Sequence, residues 1–227
     1  YLVSGLTVPI VSDKTAEADA ANNPRVSREE MFNFIFEDLA FAEEVFSGDY
    51  APTSVTDPTL AVVYGLYARA YLWLGTEDFV SDGKNGALPS GKEAYAKAGE
   101  YARKAINEFG GAIMSEAEWT SVTSGFNTKA SSWMWTLTHS TDTIAGNLHQ
   151  FVAHLAPEAS YGYCPFTNPG LGSEYYAILG ANDFRRKIII APDHSNWNEF
   201  KNYSLITEED EFQSFAPYTF FKFRPAQ

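Results

Sequence analysis

The residues of this chain best suited to chemistry are aromatic rings set among amides and carboxylates in loop-like sequence. Tyr161 and Tyr163 lie close to Asn168, and Trp197 sits between Asn196 and Asn198 shortly after Asp193. Trp119 follows Glu118 in a polar stretch. A flat ring face suits the C–H surface of a sugar, and amides or carboxylates at its rim suit the hydroxyls. Tyr161, Tyr163, Asn168, Asn196, Trp197 and Trp119 are therefore the candidate ligand contacts. Each ring is equally able to serve as core packing, and Trp119 could simply cover a helix end.

Other chemistries find less support. His139, His149, His154 and His194 do not fall at the spacing of a helical zinc motif, since His149 and His154 are five residues apart. The acidic pairs Glu37-Asp38 and Glu43-Glu44 are adjacent, so on a helix they diverge and read as solvated groups rather than a glycosidase pair. No nucleophile elbow, phosphate loop or dinucleotide fingerprint occurs, and no metal or other cofactor is called for. The single cysteine, Cys164, rules out an intrachain disulfide and reads as a small buried apolar residue. A net charge of -13 closes a general electrostatic route to nucleic acid or to an anionic membrane surface. Neutral ligands and basic partner surfaces stay open. No apolar run approaches the roughly 20 residues of a membrane-spanning helix.

The elements that must position these groups begin with helices. Tyr1 to Asn23 reads as an extended arm. Ser27 with Glu30 forms a capping box, and the helix after it puts Phe32, Ile35, Leu39, Ala42 and Phe46 on one stripe, with Glu29, Glu37, Glu43 and Glu44 expected to be wet. Asp57 followed by Pro58 predicts the start of a second helix running to Leu74, stopped by Gly75 and burying Val63, Leu66, Tyr67, Ala70 and Leu74. Tyr64, Tyr67 and Tyr71 are assigned to packing. After a turn-rich loop at 82–90, a third helix from Lys92 to Phe109 mixes Ala94, Ala98, Ala102 and Ala105 with Tyr95, Tyr101 and Ile106, and Gly110-Gly111 ends it.

The second and third helices look like one tetratricopeptide-type hairpin. Beyond them the sequence predicts a short strand at 132–138 carrying Trp133 and Trp135 on one buried face. An irregular loop follows at 147–172, then two helical turns at 173–179, a buried strand at 187–191 and an edge at 218–223. The fold class is thus mainly α, helical hairpins with irregular loops and a few short strands. It is taken as one domain over 1–227, with a hairpin scaffold at 27–110 and a loop-rich, ligand-facing part at 111–227. The start at Tyr1 and the stop at Gln227 read as those of an internal piece of a longer protein.

The order of motifs resembles the SusD/RagB family of surface glycan-binding lipoproteins. Val8-Pro9-Ile10-Val11 is similar to that family's Val-Pro segment. Pro24-Arg25-Val26-Ser27 with Phe34-Ile35-Phe36-Glu37-Asp38-Leu39 resembles its Ile-x-x-Asp-Leu helix. Gly65-Leu66-Tyr67-Ala68-Arg69-Ala70-Tyr71-Leu72 resembles its Ala-Arg-x-Tyr-Leu helix, and Tyr95-Ala96-Lys97-Ala98 to Ile106 the next. Asn182-Asp183-Phe184-Arg185 resembles its Asp-x-Arg element, and Lys222-Phe223-Arg224 a basic strand. The family's lipidated cysteine, early helices and C-terminal part are missing.

The resemblance implies a SusD-like fold fragment that binds an oligosaccharide without catalysis and passes it to a SusC-like TonB-dependent transporter. It implies an outer-membrane, cell-surface location, with membrane contact only through an N-terminal lipid anchor that this chain lacks. Two alternatives are a tetratricopeptide-like module for protein-protein interaction and a helical glycan-active enzyme.

Overall fold

In a computed structural model of the 227-residue chain, the structure describes residues 8–11, 24–54, 56–77, 88–119, 121, 132–136, 170–204 and 215–220. The candidate contacts Tyr161, Tyr163 and Asn168 lie outside the described residues, as do most of the N-terminal arm and of the loops at 82–90 and 147–172. What is described is mainly helical, and its β pairing is confined to isolated bridges. The chain divides into two compact units, Tyr1–Gly111 with Trp133–Leu137, and Ala112–Ser132 with Thr138–Gln227.

The first unit holds helices α1 (Arg28–Phe46), α2 (Leu60–Leu74) and α3 (Gly91–Phe109). Helix α1 starts where the sequence expects, because Ser27 accepts a hydrogen bond from the Glu30 backbone N–H at 3.1 Å and so satisfies one orphan donor of the first turn. Helix α2 packs along α3, and α1 against α2. Phe32, Leu74 and Ala94 form one fully buried cluster, and Leu39, Val63, Tyr67 and Ala70 form another.

Alanines on α3 leave room for a ring stack between the helices. Tyr101 lies 4.2 Å from Tyr67 between centroids, and Phe36 lies 4.4 Å from Tyr71. The tyrosine assignments to packing therefore agree with the structure. Helix α3 ends at Gly110, whose φ of 62° lies in the left-handed region that glycine occupies without a Cβ penalty.

Several local expectations need correction. Glu29, expected to be wet, is 3 % exposed; it belongs to the first turn of α1, where unpaired N–H groups and the helix dipole favour a carboxylate. The N-cap of α2 is Thr59, whose hydroxyl accepts from the Val62 N–H, and not Asp57. Asp57 instead closes the preceding turn by accepting from the Thr53 hydroxyl, the Thr53 N–H and the Ser54 N–H, which together hold its carboxyl below the usual carboxylate range.

Leu66 is exposed rather than buried, since it falls on the α2 face turned from both neighbours. Residues 132–136 form turns and bends instead of a strand. Trp135 there is 47 % exposed, its indole N–H donated to the Thr56 carbonyl at 2.9 Å. Gly75 does follow the last residue of α2, but with an ordinary helical φ of -62°. Its missing side chain makes space for the Tyr95 ring, which a Cβ would meet at 2.6 Å.

The second unit holds α4 (Glu116–Trp119), α5 (Ser173–Ile178), a 3-10 turn (Phe184–Ile188) and α6 (Trp197–Ser204). The two helical turns expected at 173–179 are α5. The strand expected at 187–191 is not formed as such. Lys187 and Ile188 close the 3-10 turn, and only the stretch after them pairs, through a bridge from Ile189 to Phe220 and hydrogen bonds linking Ile190 with Thr219 and Tyr218. The edge expected at 218–223 is present as the bridging residues Thr219 and Phe220, and 221–223 lie outside the described residues. Ile188, Ile189, Ala191, Tyr176 and Leu179 make the core beneath this turn, and Ile190, Phe200 and Phe215 a second cluster beside it. No helix among the described residues is long and apolar enough to cross a membrane.

Candidate binding cleft

Trp119 owes its position to a capping box that the reading of the sequence overlooked. Ser115 accepts from the Glu118 N–H at 3.2 Å, while the Glu118 carboxylate accepts from the Ser115 N–H and hydroxyl, each at 2.8 Å. The backbone N–H of Ser115, then its hydroxyl, hold the Glu118 carboxyl below its ordinary range. This reciprocal pairing fixes a single helical turn, and Trp119 at its end meets Phe184 edge-on with centroids 5.4 Å apart. The signal was present as Ser115-x-x-Glu118.

Trp119 lines a cleft of about 290 Å³ with Tyr175, Arg185, Leu171, Ile188, Ile189 and Phe220. Its floor is aliphatic core. Tyr175, on α5, is 43 % exposed, so a second ring is available to a ligand.

Arg185 supplies the polar edge. Its Nε–H donates to both oxygens of Asp183 at 2.9 and 3.1 Å, Nη2 donates to the same carboxylate, and the Arg185 backbone N–H donates to Asp183 Oδ1 at 3.0 Å. The Arg185 guanidinium holds the Asp183 carboxyl well below the usual range, and the carboxylate in turn raises Arg185. Fixed in this fork, the guanidinium presents Nη1 with no partner among the described residues. The next residue, Arg186, is turned elsewhere: its Nη1 donates to the Leu179 carbonyl at 2.8 Å and its guanidinium lies 4.2 Å over the Tyr176 ring. These contacts anchor the 3-10 turn that carries Arg185.

A second, more polar cleft of about 360 Å³ shares this turn and is lined by Asn196, Asp183, Lys187 and Glu199 among others. Asn196 is largely committed within the protein. Its Oδ1 accepts from the Ala191 N–H at 2.8 Å, and its amide donates to the carbonyls of Ile189 at 2.8 Å and Arg186 at 3.4 Å. Trp197 stacks on Phe200 at 5.7 Å and lies 6.1 Å from Phe215, so its ring belongs in large part to the core. Lys187 donates to the Tyr203 hydroxyl at 2.9 Å and to Glu116 at 3.0 Å, and these two bonds raise its pKa.

Of the expected contacts that are described, then, Trp119 faces the apolar cleft and Asn196 the polar one, and Trp197 lies beside them as a packing ring. Tyr175 and Arg185 were not singled out as contacts by the sequence. The signal for Arg185 was the Asp183-x-Arg185 spacing, which puts opposite charges two residues apart in a tight turn. Among the described residues no cluster of three or more His, Cys, Asp or Glu side chains could hold a metal ion, and the Nε2–H of His194 is donated to the Phe215 carbonyl at 2.9 Å. His139, His149 and His154 lie outside the described residues. The chain matches no family model, no curated protein and no solved structure.

Proposed function

We propose that this protein binds an oligosaccharide without cleaving it, at the Trp119 cleft, as a SusD-like surface subunit that delivers its ligand to a SusC-like TonB-dependent transporter in the outer membrane. The observation that carries this reading is the cleft itself: two rings, Trp119 and Tyr175, over an aliphatic floor with the fixed guanidinium of Arg185 at the rim. A pyranose offers the complementary surface, C–H groups for the rings and hydroxyl oxygens for the free Nη1 donors. Stacking of about 0.5–1.5 kcal/mol per ring makes each sugar contact weak, so affinity depends on several acting together.

Binding without catalysis accords with the state of Asp183. It is the carboxylate beside the cleft, and held ionised by Arg185 it is a poor general acid. The antiparallel α2 and α3 would serve as a tetratricopeptide-like hairpin in a SusD-like fold, a rigid base with a transporter-facing surface.

Calorimetric titration of the chain with a panel of neutral oligosaccharides tests this. Saturable binding that falls about tenfold in Trp119→Ala and in Arg185→Ala, without release of reducing ends, supports the proposal. Reducing-end release would point to a glycan-active enzyme, and peptide binding with no sugar binding to an interaction module. Because Asp183 titrates below the ordinary carboxylate pKa of about 3.9, sugar affinity should be level from neutral pH down to about pH 5 and decline only in stronger acid.

A further inference from the structure

The helical unit contains a separate cavity of about 330 Å³ where the C-terminal ends of α1 and α3 meet the start of α2. Its volume lies at the small end of ligand pockets, which run from about 300 to 1,000 Å³. Phe46 and Tyr50 form one corner, their rings 4.6 Å apart and inclined at 64°, and Phe109, Leu60 and Met134 line other walls. The carboxylate of Glu108, also at the wall, has no basic side chain paired with it among the described residues. Lys104, one helical turn earlier, is drawn the other way, with its ammonium 4.4 Å over the Tyr101 ring and 3.8 Å from Glu100.

The electrostatics of the cavity point to a cation. Neither α1 nor α3 carries a basic residue in its last turn, so the negative ends of two helix dipoles reach the cavity, and Glu108 adds a full charge. The positive end of α2 also reaches the cavity, with the Thr59 hydroxyl accepting from the Val62 N–H and no acidic residue in the first turn, so it offsets one of the two negative ends and leaves the other and Glu108 in excess. Aromatic ring faces attract the same sign of charge, and Phe46, Tyr50 and Phe109 all line the cavity.

Hydrogen-bonding capacity narrows the class further. A primary ammonium has three N–H donors to satisfy and is strongly hydrated, and the side chains that line the cavity are apolar apart from Glu108, Thr59 and the Tyr50 hydroxyl. A quaternary ammonium has no donors. From this geometry we propose that the cavity binds a free quaternary alkylammonium compound, its methyl groups against Phe46, Tyr50 and Phe109 and its charge toward Glu108.

The site is independent of the proposed sugar cleft, and calorimetry on the full 227-residue chain tests it with choline as the probe. Choline should saturate a single site and bind about tenfold more tightly than its neutral isostere 3,3-dimethylbutan-1-ol. Both Glu108→Gln and Tyr50→Ala alter exposed side chains, so both should fold, as checked by circular dichroism, and each should weaken choline about fivefold or more. Trp119→Ala should leave choline binding unchanged, which separates failure here from failure of the sugar reading. Equal affinity for choline and the alcohol, the absence of saturation, or full choline affinity in Glu108→Gln would overturn the proposal. So would tighter binding of Nα-acetyl-lysine N-methylamide than of choline, which would assign the cavity to a lysine side chain of a partner instead.

Discussion

Two aromatic groups, one in each unit, are used in opposite ways. Between α1, α2 and α3, rings face rings: Phe36, Tyr67, Tyr71 and Tyr101 stack in a continuous series, and their apolar faces are largely consumed by one another. In the second unit Trp119 meets Phe184 at a steep angle and, together with Tyr175, lines a cleft. The difference follows from the backbone that carries them. Helices packed along their lengths bring a whole stripe of side chains together, whereas a single turn, a 3-10 turn and isolated bridges bring together only a few residues and leave gaps between them. A stable scaffold and a receptive surface are thus made from the same residue types.

That contrast can be broken from either side. The largest effect should come from Phe32→Ala in the helical unit, because Phe32 is 0 % exposed against Leu74 and Ala94; a loss of about 3–5 kcal/mol is expected, read by urea unfolding. Asn196→Ala should cost about 2 kcal/mol by stranding the Ala191 N–H and the Ile189 carbonyl, and it should loosen the turn that carries Arg185. Differential hydrogen exchange at 186–191 would show that loosening. Gly110→Ala should cost about 1 kcal/mol, since alanine resists the positive φ at the end of α3; Gly75→Ala, at a negative φ and against an exposed and movable Tyr95 ring, should cost less.

The last test sharpens the comparison without touching stability at neutral pH. Burial, reinforced by the Glu43 carboxylate, pushes the Tyr101 hydroxyl up to about 12, and burial raises Tyr67 and Tyr71 in the same direction. A phenol with a raised folded-state pKa stabilises the fold fully below its unfolded value of 10.0, and that contribution is lost as pH rises toward about 12. Ultraviolet titration should therefore show a late tyrosine phase coincident with alkaline loss of helicity.

Legibility in the sequence differed in the same way. The three long helices were readable because their apolar spacing, the Ser27 cap and the Gly110 stop are local signals acting within a turn or two. The boundary of α2 was misplaced by two residues because Asp57 and Thr59 are both good caps, and the hydrogen bonds from Thr53 and Ser54 decided that Asp57 closes a turn instead. Trp135 was expected inside a strand and is partly exposed, since alternation over seven residues does not by itself supply a pairing partner. For the cleft, the sequence pointed to Trp119 but gave no reason to join it to Tyr175 and Arg185, which are 56 and 66 positions further along the chain.

What the sequence determined by itself was a mainly helical chain, because helix formation depends on side-chain periodicity and end caps that lie within a few residues of one another. Which rings would be buried against rings and which would border open space was decided only in three dimensions. Burial depends on long-range neighbours, and those are set by how Thr219 and Phe220 return to pair beside Ile189 and Ile190 and by how closely the alanines of α3 allow α2 to approach.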